Sequence, residues 1–348
     1  MDLGPNARIR LEPRDEHVHP IEAASNFNES MYLNCFDHAQ RMGGWFRVGN
    51  RPNEGHAEMS CCVYLPDGSV GFLFQRPELR TNEAFDAAGM RIEVEVPFER
   101  LRVTYRGKLC LLARPEDMAD PKQAFANNPM VDAAIDLVFH GISPMYGGEK
   151  VDEHGRPVEE APDEAFARAH YEQHMAAVGT IRVGDRTFAI DGLGLRDHSW
   201  GPRYWQNLYW YRWMPLVFDR DFAMNVSIVT MASGKRHVWG MVLGRDAKGE
   251  KAYDLIVDAE MTSTLDEEHQ ARAQRMVVRT ESGKTYDVEG KALSLLPLRN
   301  RRQWPDGSLR TTRITEAMTE YRCDGRVGYG MAEYLDQLED GVPVGRSC

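Results

Sequence analysis

The chain has 348 residues, of which 42% are hydrophobic and 27% charged, and its formal net charge is -11. These proportions are those of ordinary globular proteins, so the composition excludes a disordered or fibrous chain and allows a sizeable core. The 42 basic side chains are spread among 53 acidic ones without a basic block, and we therefore expect no nucleic-acid partner.

The sequence shows no segment that would take the chain into or across a membrane. No stretch reaches about 18 consecutive apolar residues, and the N-terminal segment is polar and interrupted by prolines, unlike a secretory signal. The six cysteines lack both CxxC spacing and a small-domain disulfide framework, which is typical of free thiols in a reducing compartment. We predict no transmembrane segment, no export and a cytoplasmic location.

Short strand patterns dominate the N-terminal half, between Ser30 and Val103. The runs HAEMSCCVYL and VGFLFQR flank the tetrapeptide PDGS, which is a hairpin signal because Gly68 can adopt a positive φ at low cost. In RIEVEV, Ile92 and the valines alternate with charged residues, as expected of a strand with one buried face. We predict a meander of strands for this half.

A mixed region joins the two halves of the chain. Pro162 and Asp163 have the features of a helix start. Phe166, His170 and His174 recur every four residues, which would stack them on one face of a helix. We therefore predict a short helical insertion in this region.

Strand patterns return after the mixed region and continue almost to the end of the chain. The segments ASGKR, RDAKGE and ESGKT are further hairpin signals. Strand-rich chains of this length usually close their sheets into barrels or pack them as sandwiches, because open sheet edges invite aggregation. We predict an all-β, mainly antiparallel fold with two consecutive β-barrel or sandwich halves.

The segment DGLGLRDHSWGPRYWQNLYWYRW, residues 191–213, combines acid, base and many rings. Its two glycines interrupt a strand pattern, which commonly marks a bulge or a close approach of backbone. If the run is extended, Arg196, His198 and Trp200 share one face and Asp197 lies on the other. Only a bulge would then bring Asp197 and His198 to the same side.

Aromatic residues crowd the second part of this segment, which holds four of the seven tryptophans. One interpretation is ordinary core packing, with Arg196 and Asp197 as an internal ion pair. The other is a ring-walled pocket, in which burial raises the pKa of Asp197 so that it stays protonated and acts as a general acid. A neighbouring imidazole, His198, would hold or return that proton.

The residues GLGLRDHSWGPR resemble the D-H-x-W-G signature of the lipocalin-like superfamily that groups acyclic carotenoid hydratases, tocopherol cyclase-like proteins and AttH-type domains. The flanking runs FNESMYLNCFD, GGWFRVGNRPNEG, HYEQ and RVGYGMAEY extend the similarity over about Asn28 to Tyr334. The resemblance implies two lipocalin-like halves, which we place at residues 28–160 and 161–340, with the motif in the second. It also implies an apolar cavity and proton-driven chemistry without a redox cofactor.

Carried over to this chain, the resemblance makes Asp197 the proton donor or part of its relay, with His198 as the second catalytic group. We expect the substrate to contact the following side chains: Trp45, Trp200, Arg203, Tyr204, Tyr209, Tyr211 and Trp213. We also expect a further polar and aromatic patch near the start of the chain, formed by Tyr32, Phe36, Asp37, Trp45 and Arg47. That patch either closes the edge of one barrel or faces Asp197.

Metal and cofactor sites are not predicted. His170 and His174 on one helix face could share a metal with Asp197 or His198, but no third ligand is identifiable on that face. His17 and His19 are expected to face solvent. The GLG triplet lacks the third glycine and the following helix of a dinucleotide fingerprint, and neither a GxSxG motif nor a P-loop is present.

The favoured hypothesis is a cofactor-independent acid-base enzyme, a hydratase or dehydratase, isomerase or cyclase, acting on an apolar isoprenoid or aromatic small molecule. The alternative is a non-catalytic carrier or sensor that holds a hydrophobic ligand in the same cavity. A third interpretation makes the motif a structural clamp in which Arg196 or Arg203 pairs with Asp197. The expected partner is a small apolar molecule, and assembly as a homodimer is left open.

Overall fold

Antiparallel β-strands make up most of the chain, which confirms the predicted all-β class. The computed structural model describes residues 7–158, 167–303, 309–339 and 341–344. The chain divides into two compact units. The first comprises Met1–Pro66, Gly71–Leu111 and Pro129–Trp205, and the second comprises Asp67–Val70, Leu112–Asn128 and Gln206–Cys348.

The first unit contains a closed ring of eight strands. The twelve strands of the sheet that contains this ring are β1 (Arg8–Arg10), β2 (Phe27–Asp37), β3 (Met42–Arg51), β4 (His56–Tyr64), β5 (Val70–Gln75), β6 (Phe85–Ala87), β7 (Met90–Val96), β8 (Arg100–Leu112), β9 (Met130–Gly141), β10 (Tyr146–Val151), β11 (Ala169–Val183) and β12 (Arg186–Pro202). The ring runs β11-β12-β2-β3-β4-β5-β8-β9 and closes because β9 also pairs with β11. Strands β1 and β10 extend it beside β11, and β6 and β7 extend it beside β8.

The second unit closes a ring from strands that follow one another along the chain. They are β13 (Leu208–Asp219), β14 (Phe222–Met231), β15 (Arg236–Arg245), β16 (Lys251–Leu265), β17 (Ala271–Thr280), β18 (Thr285–Gln303), β19 (Leu309–Cys323) and β20 (Arg326–Glu339), with the short β21 (Val342–Pro343) beside β20. Pairing of β13 with β20 closes this ring. Helical segments are short: α1 (Pro121–Asn127) and the 3-10 turns Pro13–Glu16, Pro52–Glu54, Pro115–Ala119 and Trp205–Asn207.

Alternation along β9 identifies the inner face of the first barrel. Ile135, Leu137 and Phe139 are buried, whereas Asp136, between the first two, is exposed and pairs with Arg102 of β8. Phe139 lies opposite Ala177 of β11, so odd-numbered residues of β11 share the buried side with Phe139. Their even-numbered neighbours lie on the outer face of the barrel.

The local turn and strand signals are confirmed. PDGS joins β4 to β5, and Gly68 has a φ of 87°. Along β7, Met90 and Ile92 are buried while the charged residues between and after them are exposed. The three later hairpin segments likewise separate β14 from β15, β15 from β16 and β17 from β18.

The predicted helix around His170 and His174 is wrong, because both residues lie in strand β11. A four-residue spacing places side chains on one face of a strand as well as of a helix, and β11 is buried on both faces over most of its first half, so it lacks the alternating polarity of a surface strand. Pro162, Asp163 and Phe166 lie outside the described residues. The short helix of the insertion is α1, at Pro121–Asn127.

The division of the chain differs from the predicted boundary between residues 160 and 161. Strand β12 pairs with β2 along its whole second half, from Leu193 opposite Phe36 to Pro202 opposite Phe27. This pairing places the D-H-x-W-G motif in the first unit, and the second unit resumes at Gln206. Periodicity could not reveal this arrangement, because it depends on which distant strand closes the ring.

Two further expectations concern the cysteines and membrane-spanning segments. The five cysteines of the described residues are all buried free thiols. Among the described residues, the helices are too short and too polar for any to traverse a lipid bilayer.

One buried carboxylate in the first barrel depends on arginines. Glu58 of β4 accepts hydrogen bonds from Arg47, 3.2 Å away, and from Arg76, 3.1 Å away. Burial alone would raise the pKa of Glu58, but the charges of Arg47, Arg51 and Arg76 outweigh it and lower that pKa to about 2. The carboxylate is therefore more stable in the folded chain than in the unfolded one.

We expect Glu58→Gln to reduce the decrease in the free energy of unfolding that occurs as the pH falls. Because the folded pKa lies below the ordinary value of 4.5, the carboxylate contributes stability that is complete above about pH 4.5 and is lost as the pH falls towards 2. This contribution is on the order of 3 kcal/mol. Urea unfolding of parent and variant between about pH 6 and pH 3 measures it, with Glu78→Gln in an exposed ion pair as the control. Parallel pH curves for parent and Glu58→Gln would contradict the assignment.

Candidate active site

The candidate site is built on the hairpin formed by β11 and β12. The two strands pair in register from Ala169 opposite Trp200 to Val183 opposite Arg186, without a shift. Gly194 does not form a bulge, but it does mark a close approach of backbone. A Cβ added there would lie 2.0 Å from the carbonyl oxygen of Asn34.

The continuous register separates the motif into two faces, as predicted for an extended run. Arg196, His198 and Trp200 lie on the inner face, and Asp197 lies on the outer face beside Glu172 of β11. The bulge that would have joined Asp197 and His198 is not formed. The prediction that these two residues act as one acid-base pair is therefore wrong.

Asp197 instead pairs with an imidazole of the neighbouring strand. Nε2 of His170 is in short contact with Oδ2 of Asp197, and it lies 3.6 Å from Oε1 of Glu172. The His170 side chain is 37% exposed and that of Asp197 is 17% exposed, whereas Glu172 is fully buried. No hydrogen bond to Nδ1 of His170 is found among the described residues.

Electrostatics give His170 the proton of this pair. Burial alone would lower the pKa of His170, but the charges of Asp197 and Glu172, with the hydrogen bond to Asp197, raise it to about 9. Burial alone would raise the pKa of Asp197, but the charge of His170 and its hydrogen bond lower it. These directions run opposite to the prediction that burial keeps Asp197 protonated, because its neighbour is a cationic imidazole.

His198 belongs to a different set of contacts, on the inner face. Its ring is fully buried, with Nε2 at 2.9 Å from Oε1 of Glu29 and Nδ1 at 3.0 Å from the Tyr171 hydroxyl. His19 reaches the same Glu29 oxygen through Nδ1 at 2.7 Å. Trp200 stacks on His19 with ring centroids 4.1 Å apart. His19 is thus enclosed and only 20% exposed, contrary to the expectation that it faces solvent.

Arg196 is held by the N-terminal segment. Both its terminal nitrogens approach Glu16, with Nη2 at 2.6 Å from Oε2, and its guanidinium lies 4.5 Å from the centre of the Tyr171 ring. Arg196 and Glu16 are fully buried. The predicted clamp between Arg196 and Asp197 is wrong, since the two side chains lie on opposite faces.

The other predicted contact residues fall in four places. Trp45 of β3 lies on the same face as Asp197 and stacks on Tyr32, the residue opposite Asp197 in β2. Arg203 donates a hydrogen bond to Ser199 of the outer face, and its charge helps to lower the pKa of Asp197. Trp200 lies on the inner face, and Tyr204 lies just after β12. The last three predicted contacts lie in β13 of the second unit: Tyr209, Tyr211 and Trp213.

These placements divide the predicted contacts. Trp200 does not share a face with Asp197, so it cannot line the same surface. Trp45 and Arg203 do share it, and so do Tyr32 and Arg47 of the predicted patch, which lie on the two strands beyond Asp197. For the three aromatic residues of β13, contact with the substrate stays a prediction.

The metal pairing considered for His170 and His174 does not occur. Four residues along a strand span about 13 Å, too far for two ligands of one ion. The described residues do contain two sets of three groups whose ligand atoms lie within 4.8 Å of one another: His170, Glu172 and Asp197, and His19, Glu29 and His198. Glu172, which a helix would have turned away, joins His170 because both are even-numbered residues of β11.

Fold and site together define an all-β, lipocalin-like protein with an imidazole-carboxylate pair on its first barrel. The chain belongs to the family described as Domain of unknown function (DUF7064), whose model matches residues 12–338. No curated protein matches the chain.

Solved structures share the fold across nearly the whole chain. An AttH-like protein of Nitrosomonas europaea is 13% identical, with a TM-score of 0.55 over 95% of this chain and 97% of that one. CghA with Sch210972 is 10% identical, with a TM-score of 0.53 over 90% and 89% of the two chains. Kievitone hydratase from Nectria haematococca is 10% identical, with a TM-score of 0.52 over 90% and 92%. These likenesses confirm the predicted resemblance at the level of the fold.

Removing the carboxylate of Glu16 should destabilise the first barrel strongly. The Glu16→Gln variant leaves Arg196 buried without a counter-charge, which typically costs 3–5 kcal/mol. Chemical denaturation measures the loss, and Asp287→Asn, in an exposed pair with Arg275, is the matched control with little expected change.

A double variant separates lost charge from lost packing at this site. Glu16→Gln combined with Arg196→Met removes both charges and should recover part of the stability lost in Glu16→Gln alone. A double variant that is less stable than the single one would show that the ion pair is not the cause.

Proposed function

We propose that this chain is an acid-base enzyme that adds water to an apolar small molecule, removes water from it, isomerises it or cyclises it, with His170 as the proton donor. The observation that supports this most directly is the contact of His170 with Asp197 on a partly exposed face. A proton within a fully buried network is inaccessible to a ligand, whereas the His170 imidazole is partly exposed to solvent.

The arrangement fits proton transfer from Nδ1 of His170. In the imidazolium form, Nε2–H donates to Asp197, so Nδ1–H is the donor that remains for a substrate. Transfer of this proton to one carbon of a double bond leaves a cation on the other carbon. Water then adds to that carbon, and the proton that the water loses restores the imidazolium, which completes a hydration.

The same intermediate explains the other reactions of the class. Loss of a proton from a neighbouring carbon gives an isomer. Attack by a second double bond gives a ring that still carries the positive charge, and loss of a proton from it completes the cyclisation. In both cases the lost proton restores the imidazolium. Asp197 acts as a positioning residue, because it holds the ring and stabilises its charge through Nε2. Glu172 contributes negative charge from 3.6 Å away.

An apolar substrate is supported by the neighbours of the pair and by the structural relatives. Tyr32 and Trp45 lie on the same face as Asp197, and aromatic ring faces stabilise nearby cations. One relative with the same fold is named a kievitone hydratase, and another, CghA, was solved with Sch210972. Trp45, Arg203, Tyr204, Tyr209, Tyr211 and Trp213 remain our proposed substrate contacts.

Incubation in heavy water tests the reaction class even while the product is unidentified. Small molecules that co-purify with the protein, and kievitone as a defined probe, are incubated with the protein in D₂O and analysed by mass spectrometry. Protonation at carbon installs deuterium in hydration, and also in any isomerisation or cyclisation that it initiates. Recovery of every bound compound with unchanged mass and no deuterium would favour the carrier or sensor alternative.

Replacement of His170 should abolish most of the turnover. His170→Gln removes the proton donor, and general acids typically contribute 10²–10⁴-fold to rates, so deuterium incorporation should fall by about that factor. His140→Gln alters an exposed histidine of β9 and is the matched control. Equal rates for His170→Gln and the control would sink the assignment.

The pH profile distinguishes positioning by Asp197 from a merely structural role. His170 is active when protonated, so the parent rate should decline as the pH rises through about 9. In Asp197→Asn the charge that raises the pKa of His170 is lost, and the alkaline limb should move towards the ordinary value of 6.5. A variant with reduced rates but an unmoved alkaline limb would contradict this role for Asp197.

A further inference from the structure

A second histidine-carboxylate cluster lies on the inner face of the first barrel, away from the proposed active site. His19 Nδ1 and His198 Nε2 both approach Oε1 of Glu29, at 2.7 and 2.9 Å. Glu29 and His198 are fully buried, and His19 is 20% exposed. The three residues come from the N-terminal segment, β2 and β12, so the cluster joins distant parts of the first unit.

The two oxygens of Glu29 have different surroundings. Oε2 accepts a hydrogen bond from the backbone N–H of His19 at 2.8 Å and a short one from the side-chain amide of Asn82. Oε1 faces the two imidazole nitrogens. A carboxylate that binds a metal ion through one oxygen commonly has its other oxygen hydrogen-bonded in this way.

The outer nitrogens of the two rings, Nδ1 of His198 and Nε2 of His19, each face a group that can accept their proton. The Tyr171 hydroxyl donates to Glu16 at 3.0 Å, so its oxygen accepts the proton on Nδ1 of His198. Nε2 of His19 lies 3.5 Å from Asp15 and directs its proton there. In the neutral rings, the lone pairs of both inner nitrogens therefore point at the negatively charged Oε1 of Glu29.

Charge balance also calls for positive charge at this point. Three buried carboxylates, Asp15, Glu16 and Glu29, surround the cluster, and Arg196 is the buried guanidinium that pairs with one of them. Arg14 approaches Asp15 at 3.7 Å but is 68% exposed, so solvent screens it. The other two carboxylates, Asp15 and Glu29, face the imidazoles of His19 and His198.

We propose that His19, Glu29 and His198 bind one divalent first-row transition metal ion, with Zn²⁺ as the expected ion. Two imidazolium rings with centroids 5.9 Å apart would repel each other, whereas one Zn²⁺ between the lone pairs supplies the same charge. Nitrogen and carboxylate ligands suit this ion. Bonds of about 2.0–2.1 Å require both inner nitrogens to lie about 3.3 Å from Oε1. The larger movement is that of His19 Nδ1, now at 2.7 Å, and His19 belongs to no strand.

The ion would fasten the N-terminal segment to the barrel. His19 lies on that segment. The same segment supplies Asp15, which contacts His19, and Glu16, which accepts a hydrogen bond from the Tyr171 hydroxyl beside His198. The site does not depend on the proposed acid-base function, because His198 and Asp197 lie on opposite faces of β12. Deuterium incorporation tests the function, and metal content tests this site.

The test measures zinc in the full-length protein purified without a histidine tag. Elemental analysis should find about one zinc per chain after incubation with Zn²⁺ and dialysis. A chelator should lower the melting temperature, and added Zn²⁺ should restore it. Protein that binds no zinc at up to about millimolar Zn²⁺ would overturn the proposal.

Two variants locate the ion. His19→Asn keeps an amide that can donate to Glu29 but provides no metal ligand, so it should fold and should bind zinc at least tenfold more weakly. It should also lose the response of its melting temperature to the chelator. His170→Gln alters the other cluster and should bind zinc like the parent. Unchanged zinc affinity in His19→Asn, or loss of zinc in His170→Gln instead, would refute this location.

Discussion

The continuous antiparallel register between β11 and β12 determines which side chains of the first unit contact one another on each face of this hairpin. Because no residue is inserted in either strand, successive side chains of the D-H-x-W-G motif face opposite sides of the sheet. Asp197 meets His170 on the outer face, and His198 meets Glu29 and Tyr171 on the inner one. A shift of one residue would exchange the two sets and would place Asp197 among the carboxylates of the inner face.

The inner network shows how the barrel accommodates charge in its interior. Glu16 and Arg196 satisfy each other in a fully buried pair, and the Tyr171 ring lies against the guanidinium. Such pairs stabilise little in total but are costly to break. The N-terminal segment is therefore an integral part of the barrel, since it supplies one member of that pair as well as His19.

Features that depend on neighbouring residues are predictable from the sequence. Hairpins such as PDGS, the alternation in β7 and the two faces of the motif all follow from local spacing. The partner of Asp197 is not predictable in this way, because a spacing of four residues fits both helices and strands and the burial of β11 on both faces conceals its period. With β11 taken as a strand, the runs HYEQH and RDHSW could have been aligned as a hairpin, which would have brought His170 towards Asp197.

The partners from the N-terminal segment were beyond such reasoning. Glu16 lies far from Arg196 along the chain, and His19 is similarly distant from His198, so neither contact has a local signal. The boundary between the two units lacks a local signal for the same reason. It depends on β12 returning to β2, and no pattern of letters specifies which distant strand completes a ring.

The order of strands in the first ring has a consequence for how the protein forms during synthesis. Phe27 of β2 pairs with Pro202 of β12, so a ribosome must release most of the first 202 residues before this ring can close. Until then β2 and β9 each lack a neighbour and expose unpaired backbone, which attracts other chains. The second ring joins successive strands and needs only β13 to meet β20. We therefore expect the first barrel to be the slower of the two to fold and the one that relies more on chaperones.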